Sequence, residues 1–495
     1  MPTGSRSDVA APSRSDPVIA GLSNAIGGPL GAHAAPGRRW WTPLRVVLAM
    51  TAISCALAWL QKAACRTNPW ADDFQYTRGC YSDVFALYFA ERLNEGAVPY
   101  ADHPVEYPVG IGGLMHLAAQ VTSLVPEPLR PRTFFDLTAG LLACCALVVA
   151  VCTVRLAGRR PWDAALFAAA PALVLHAYTN WDLAAVALAS LGLLAWARSR
   201  PTLAGALIGL GAATKFYPAV LLFPLMMLCL RERRWREFIR TGTAAVAVWA
   251  AVNLPVYLAW PQSWLRFFEL NRTRPIDWDS IWMVLDRLTP LTITTEQVNL
   301  FSAVGFLLVL GGVAWLALRA PVRPRVASLA FLTVAGFLLT SKVFSPQFVL
   351  WLVPLAALAH PRWAPFLAWQ VAEAVLLVFR FAMFIGQGQS GQGVPLEWFL
   401  RVVLLRDAVL VLLCALVVRG ILRPADDPVR AGDGDSDADP AAGILGRLPR
   451  DGHPADAPDI PSISGTGSTS GEPGRWYSSD AADRQLTSDG AAPPP

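Results

Sequence analysis

Residues 81–110 read YSDVFALYFAERLNEGAVPYADHPVEYPVG and gather Asp83, Glu91, Glu95, Asp102 and Glu106 in one stretch, although charged residues are only 16% of the chain. A carboxylate held near a hydroxyl can take its proton during attack on an electrophile. Asp83 is the first choice for that work and Glu106 the reserve. Each also has a structural reading: Asp83 follows Ser82, a pair suited to the start of a helix, and Glu106 could be a rim carboxylate paired with an arginine such as Arg92. Of the 41 basic residues only three are lysines, Lys62, Lys215 and Lys342. Lysines can stabilise the charge that grows on a leaving phosphate, or simply reach a headgroup region with the stem buried, which is the reading taken for Lys62.

Four further stretches place polar groups beside those lysines. TNWD (179–182) offers Asn180, Trp181 and Asp182, and TKFYP (214–218) offers Lys215 and Tyr217. RTRPIDWDSIW (272–282) offers Arg272, Arg274, Asp277 and Asp279, and SKVFSPQF (341–348) offers Lys342, Ser345 and Gln347. Carboxylates with lysines fit glycosyl transfer from a lipid-phosphate sugar to an alcohol, with Lys215, Lys342, Arg272 and Arg274 on the phosphate. Tyr107, Asn180, Trp181, Asp182, Tyr217, Asp279 and Gln347 then fall to the substrate. Trp181, Tyr217, Trp278, Trp282 and Trp351 could stack on sugar faces or form an interfacial aromatic belt. A competing class is a transporter or flippase that moves a lipid-linked sugar without chemistry, although no internal repeat is evident.

Other chemistries find less support. No phosphate-binding glycine loop or dinucleotide fingerprint is present, which argues against a nucleotide-sugar donor. His33, His103, His116, His176, His360 and His453 lack metal-ligand spacing. Asp72 and Asp73 could hold a divalent cation or be a solvated pair, so no cofactor is expected. No basic, aromatic-laced patch points to a nucleic-acid partner.

The elements that must position these groups are membrane helices. Apolar residues make up 54% of the 495-residue chain and 19 are Trp, a membrane-class composition. Apolar runs at 44–62, 134–155, 163–177, 182–197, 201–214, 216–230, 241–260, 298–318, 326–340, 345–359, 363–385 and 398–418 predict an all-α polytopic bundle of about twelve spans. Arginine clusters such as RERRWRE (231–237) mark the cytoplasmic side. With both termini there, all three lysines and the acidic stretch face outward. Residues 82–94 then form a helix lying on the membrane surface, and 109–125 an interfacial or re-entrant segment. Residues 1–38 and the acidic 424–495 read as disordered cytoplasmic tails, residues 39–423 as the membrane domain, and 63–133 as its outer loop. In that loop Cys65 and Cys80 are either a short disulfide or two free thiols.

At these residues the sequence resembles the membrane α-mannosyltransferases of the glycosyltransferase-87 type, in the GT-C superfamily. The shared pattern is a first span, an outer loop with an Asp at a helix start (Asp83 in YSDVFALY) and a Tyr-Pro (Tyr107-Pro108). A polar span start (TNWDLAAVALASL), a Lys-x-x-Pro (TKFYP) and a Ser-Pro stretch (SPQFVLW) follow. The likeness covers about residues 44–420. Where related enzymes carry histidines after the Ser-Pro, this chain has Gln347 and Phe348. The resemblance implies a GT-C-like bundle, a polyprenyl-phosphate-mannose donor, an inverting single displacement and an outer-loop Asp as base, a position matched by Asp83. The acceptor would be a hydroxyl of an envelope glycan or glycolipid, and the Ala-rich, Arg-over-Lys composition fits a bacterial plasma membrane.

Overall fold

Apolar runs punctuated by Pro and Gly leave helices as the structure that satisfies the backbone of this chain internally. In the computed structural model, which describes residues 16–27, 41–67, 73–387, 393–433 and 439–446, the helices in order are α1 (Pro17–Gly27), α2 (Pro43–Lys62), α3 (Phe74–Thr77), α4 (Asp83–Ala90), α5 (Val109–Thr122), α6 (Arg130–Leu156), α7 (Ala165–Ala168), α8 (Pro171–His176), α9 (Asp182–Ala197) and α10 (Pro201–Thr214). They continue as α11 (Leu222–Arg231), α12 (Trp235–Ala259), α13 (Pro261–Thr273), α14 (Ile281–Leu288), α15 (Thr295–Arg319), α16 (Val326–Thr340), α17 (Val349–Ala359), α18 (Trp363–Gln387), α19 (Leu396–Leu422) and α20 (Pro428–Asp433). Among the described residues there is no strand, only an isolated bridge between Pro99 and His103.

Five segments, Pro43–Arg66, Glu127–Leu156, Trp235–Ala259, Thr295–Arg319 and Trp363–Gln387, are long and apolar enough to cross a membrane. Leu254 and Leu258 on α12 and Leu307, Leu308 and Trp315 on α15 are exposed. Apolar faces of that extent belong against lipid chains, and the chain is a multi-pass membrane protein. Six further apolar helices are shorter: α5, α9, α10, α16 and the segments Tyr217–Arg231 and Pro346–Ala359.

The stretch 163–177, expected to be a span, is broken. Pro171 cannot continue a helix, so the chain runs through a 3-10 turn (Pro161–Ala164), α7 and α8 instead. The segment expected to be interfacial or re-entrant, 109–125, forms the 14-residue α5. A Cβ at its Gly110 would stand 2.6 Å from the Thr214 hydroxyl, so only glycine lets α5 close on the end of α10. Helix α4 does not rest on lipid with its apolar face. Phe85 stacks on Phe135 at 4.5 Å and Tyr88 packs on Phe134, both residues of α6.

Parts of both stretches read as tails are folded. Asp16 caps α1 and accepts the Trp363 N–H at 3.0 Å. Beyond residue 423, Asp427 pairs with Arg325 at 2.7 Å, and the Asp439 carboxylate accepts the Val326 N–H at 3.2 Å. Arg325 is 3% exposed, and a buried guanidinium needs a carboxylate. Polar composition alone does not reveal that requirement. The remainder of 1–38 and of 424–495 lies outside the described residues.

Cys65 and Cys80 are joined in a disulfide. It closes a loop with a sequence separation of 15, for which restricted unfolded-chain entropy corresponds to about 3 kcal/mol. The Cys65→Ser/Cys80→Ser variant is expected to lose stability on that order in detergent or lipid, measured as a lower unfolding midpoint than the oxidised parent.

Candidate active site

A cavity of about 700 Å³ is lined by residues of α2, α3, α4, α8, α13, α16, α17 and α18 and of the loops between helices, with Lys215 just past α10. Asp83 enters it because the capping of α4 is done by its neighbour. Ser82 Oγ accepts the Val84 N–H at 3.2 Å and donates to the Tyr178 carbonyl at 2.6 Å. The Asp83 N–H donates to the Thr179 carbonyl at 2.7 Å, leaving its carboxylate to the cavity. There Oδ1 accepts from the Tyr81 phenol at 2.7 Å, and Oδ2 accepts from Asn180 Nδ2 at 2.7 Å and Gln347 Nε2 at 3.4 Å. All three donors are neutral, so the carboxylate is oriented without being tied up in an ion pair.

Asn180 sits at the turn before α9 and links the groups around it. Its Nδ2 also donates to the Tyr107 phenol oxygen at 2.8 Å, and its Oδ1 accepts from Lys215 Nζ at 3.4 Å. Lys215, just past the end of α10, pairs with Asp182 at 2.9 Å. Asp182 is fully buried and also accepts from Trp351 Nε1 at 2.6 Å. The Lys215 ammonium lies 5.0 Å from the Phe348 ring centre and 5.8 Å from that of Tyr107, a geometry of cation–π attraction.

On the opposite wall Lys342 donates to the carbonyl of Arg274 at 2.9 Å and to that of Arg272 at 3.4 Å. Desolvation, reinforced by the nearby Arg274 charge, pushes the Lys342 amine below its ordinary range. Asp277 lines the same wall and accepts from Ser345 Oγ at 3.2 Å.

The structure therefore brings together Asp83, Glu106, Tyr107, Asn180, Lys215, Arg274, Lys342 and Gln347 around one cavity. It does not bring Arg272, whose side chain is exposed and whose carbonyl alone reaches Lys342. Trp181, Asp182 and Tyr217 stand behind the lining: Trp181 packs on Tyr107, Asp182 holds Lys215, and Tyr217 stacks on Trp351 at 4.3 Å. Asp279 is buried beyond the wall, paired with Arg380, and its carbonyl accepts from Arg406 at 2.7 Å. Arg92 pairs with Glu95 at 2.7 Å, leaving Glu106 to the cavity.

Polar or charged lining residues not expected in the site include Lys62, Tyr81, His176 and Arg380. Lys62 is 1% exposed and does not snorkel. Arg380 carried a usable signal, since an ionisable residue inside a long apolar run marks a site by default. His176 carried none, being one imidazole at the end of an apolar stretch. Among the described residues no group of three His, Cys, Asp or Glu is arranged to hold a metal ion; Asp72 lies outside them.

Burial raises the carboxyl of Glu106 on the cavity wall and that of Glu91 near it. Glu91, 5% exposed, lies 3.3 Å from His103 Nε2. Burial pushes its carboxyl up to about 7, with the Glu106 N–H opposing and the Glu106 charge adding to the rise. For a carboxyl raised on folding, the associated stability is fully present below the ordinary value of 4.5 and lost as the pH rises through about 7. Glu91→Gln is accordingly expected to flatten the decline in unfolding midpoint between about pH 4.5 and about pH 7, measured beside the parent protein.

Residues 121–346 match the model of glycosyltransferase family 87. The family 87 match spans less than half of the chain. It contains Asn180, Asp182, Lys215, Arg274, Asp277 and Lys342, while Lys62, Asp83, Glu106 and Tyr107 precede it and Gln347 follows. No curated protein matches. Among solved structures the chain is similar to ArnT from Cupriavidus metallidurans bound to undecaprenyl phosphate, with 17% identity, a TM-score of 0.41 and coverage of 81% of this chain and 77% of that one. It is also similar to the archaeal oligosaccharyltransferase AglB from Archaeoglobus fulgidus in complex with an inhibitory peptide and a dolichol-phosphate, with 12% identity, a TM-score of 0.36 and coverage of 77% and 56%. At those scores neither likeness bears on what this chain does.

Proposed function

We propose that this chain is an integral membrane glycosyltransferase of GT-C type, which moves mannose from a polyprenyl-phosphate donor to a hydroxyl of an envelope glycan or glycolipid. The observation that carries the reading is the meeting, in one cavity, of a carboxylate oriented by neutral donors with three cations: Asp83 and Lys215, joined through Asn180, on one side and Arg274 and Lys342 on the other. The family 87 match supports the reaction class.

In the proposed step the acceptor hydroxyl gives its proton to the Asp83 carboxylate as its oxygen attacks the anomeric carbon. The bond from that carbon to the phosphate oxygen breaks, the configuration inverts, and polyprenyl phosphate leaves with its new charge facing Lys215, Arg274 and Lys342. Asn180, Tyr107 and Gln347 hold the base and border the sugar, while Asp182 holds Lys215. Glu106 remains the second carboxylate within reach. The cavity faces outward across a bacterial plasma membrane and both termini are cytoplasmic, in keeping with the arginine-rich loops at 155–162, 231–237 and 319–325. About twelve spans are counted from the five long helices, the broken run 163–177 through α7 and α8, the apolar helices α9, α10 and α16, the segments Tyr217–Arg231 and Pro346–Ala359, and α19, with α5 kept to the outer side.

The test is a proteoliposome assay with labelled polyprenyl-phosphate-mannose and mannosyl acceptors. The expected result is label in the acceptor. Label that crosses the bilayer while still attached to its lipid would favour a flippase and overturn the reading.

A further inference from the structure

The last turn of α2 and the residues after it hold the approach to Asp83 almost residue by residue. Gln61 Nε2 donates to the Gly79 carbonyl, Cys65 is bonded to Cys80, and Lys62 Nζ donates to the Tyr81 carbonyl at 2.7 Å. From the other side, the 178–179 carbonyls accept from Ser82 Oγ at 2.6 Å and from the Asp83 N–H at 2.7 Å. Residues 79–83 are thereby fixed on a frame made of α2 and the turn before α9.

Lys62 is the costly member of this frame. A neutral amide does the equivalent work at Gly79, yet here an ammonium is 1% exposed and among the described residues forms no ion pair within contact distance. A buried cation requires a compensating charge. Asp83 lines the same cavity as Lys62, and Tyr81, whose carbonyl Lys62 holds, gives its phenol to the Asp83 carboxylate at 2.7 Å. Tyr81 is gripped at the backbone by Lys62 and grips Asp83 with its ring.

We infer that Lys62 is a positioning residue for the Asp83 carboxylate, acting through Tyr81 and not as a ligand of the donor phosphate. The inference rests on Asp83 being the base proposed above. A base displaced by about 1 Å loses roughly a hundredfold in rate without any loss of substrate affinity.

The test uses the full-length protein in lipid nanodiscs, with kcat and KM for polyprenyl-phosphate-mannose and the Kd of polyprenyl phosphate from tryptophan fluorescence. Lys62→Met is expected to lower kcat by roughly a hundredfold with KM and Kd unchanged, and Lys62→Arg to recover most of the loss. Tyr81→Phe, which removes one hydroxyl and leaves the backbone tie intact, is expected to lower kcat in the same way. A raised KM or Kd in Lys62→Met with kcat unchanged would make Lys62 a phosphate ligand and overturn the inference, as would full activity in Lys62→Met or in Tyr81→Phe. Wild-type turnover with an indifferent Lys62→Met defeats this inference alone. A wild type that transfers no sugar defeats the glycosyltransferase reading and this inference with it.

Discussion

Asp83→Asn is expected to lower kcat for sugar transfer by roughly 10²- to 10⁴-fold, the contribution of a well-placed general base, with donor affinity retained. The substitution keeps the shape of the side chain but removes its ability to take a proton. It also weakens the bonds that hold the side chain. The carboxylate accepts from Tyr81 on one oxygen and from Asn180 and Gln347 on the other. An amide can keep its oxygen on Asn180 and Gln347 while its Nδ2 donates to the Tyr81 hydroxyl, which turns to accept, but the charge that strengthened these bonds is gone, so a modest loss of stability accompanies the catalytic loss. Single-turnover transfer with saturating donor separates the two effects, because a folded, donor-loaded variant that fails to turn over has lost chemistry and not binding. Full turnover would move the base to Glu106, the reserve carboxylate on the cavity wall.

Lys215→Ala is expected to fail twice. It removes a cation proposed to meet the leaving phosphate, and it leaves the Asp182 carboxylate, 0% exposed, with Trp351 as its remaining side-chain donor. Breaking one half of a buried pair costs about 3–5 kcal/mol, enough to threaten folding. The double variant Lys215→Ala/Asp182→Asn removes the stranded charge along with the lysine. Its unfolding midpoint is expected to recover most of the loss while its kcat stays as low as that of the single variant. A double-variant cycle of this kind isolates the pair from its surroundings. Recovery of activity together with stability would reduce Lys215 to a structural partner of Asp182.

The helices were legible because apolar runs in this chain are long and their ends are marked by Pro, Gly and Arg. Pro171 in the middle of the 163–177 run was the visible sign that it would not be one helix, and length alone misled. The tails were misread because polar composition hides specific pairs: Asp427 is folded by its bond to the buried Arg325, which lies 102 residues away. At the site, the residue types and their common end of the bundle were readable from Lys rarity and from carboxylates at helix starts. What could not be read was which polar groups meet. Asn180 reaches Asp83 across 97 residues and Gln347 reaches it across 264, separations at which no spacing rule operates. The same blindness placed Lys62 among headgroup-seeking side chains and grouped Asp279 with the substrate residues, although it serves Arg380 beyond the wall.

The central claim is chemical transfer from a lipid-phosphate sugar at the Asp83 cavity. It is tested most directly by incubating the purified protein in lipid with polyprenyl-phosphate-mannose, or with a nucleotide-linked mannose, and a mannosyl acceptor, and reading the anomeric configuration of the product by NMR. The account predicts product from the polyprenyl donor only, with inverted configuration. Product from the nucleotide sugar, or retention of configuration, would contradict it.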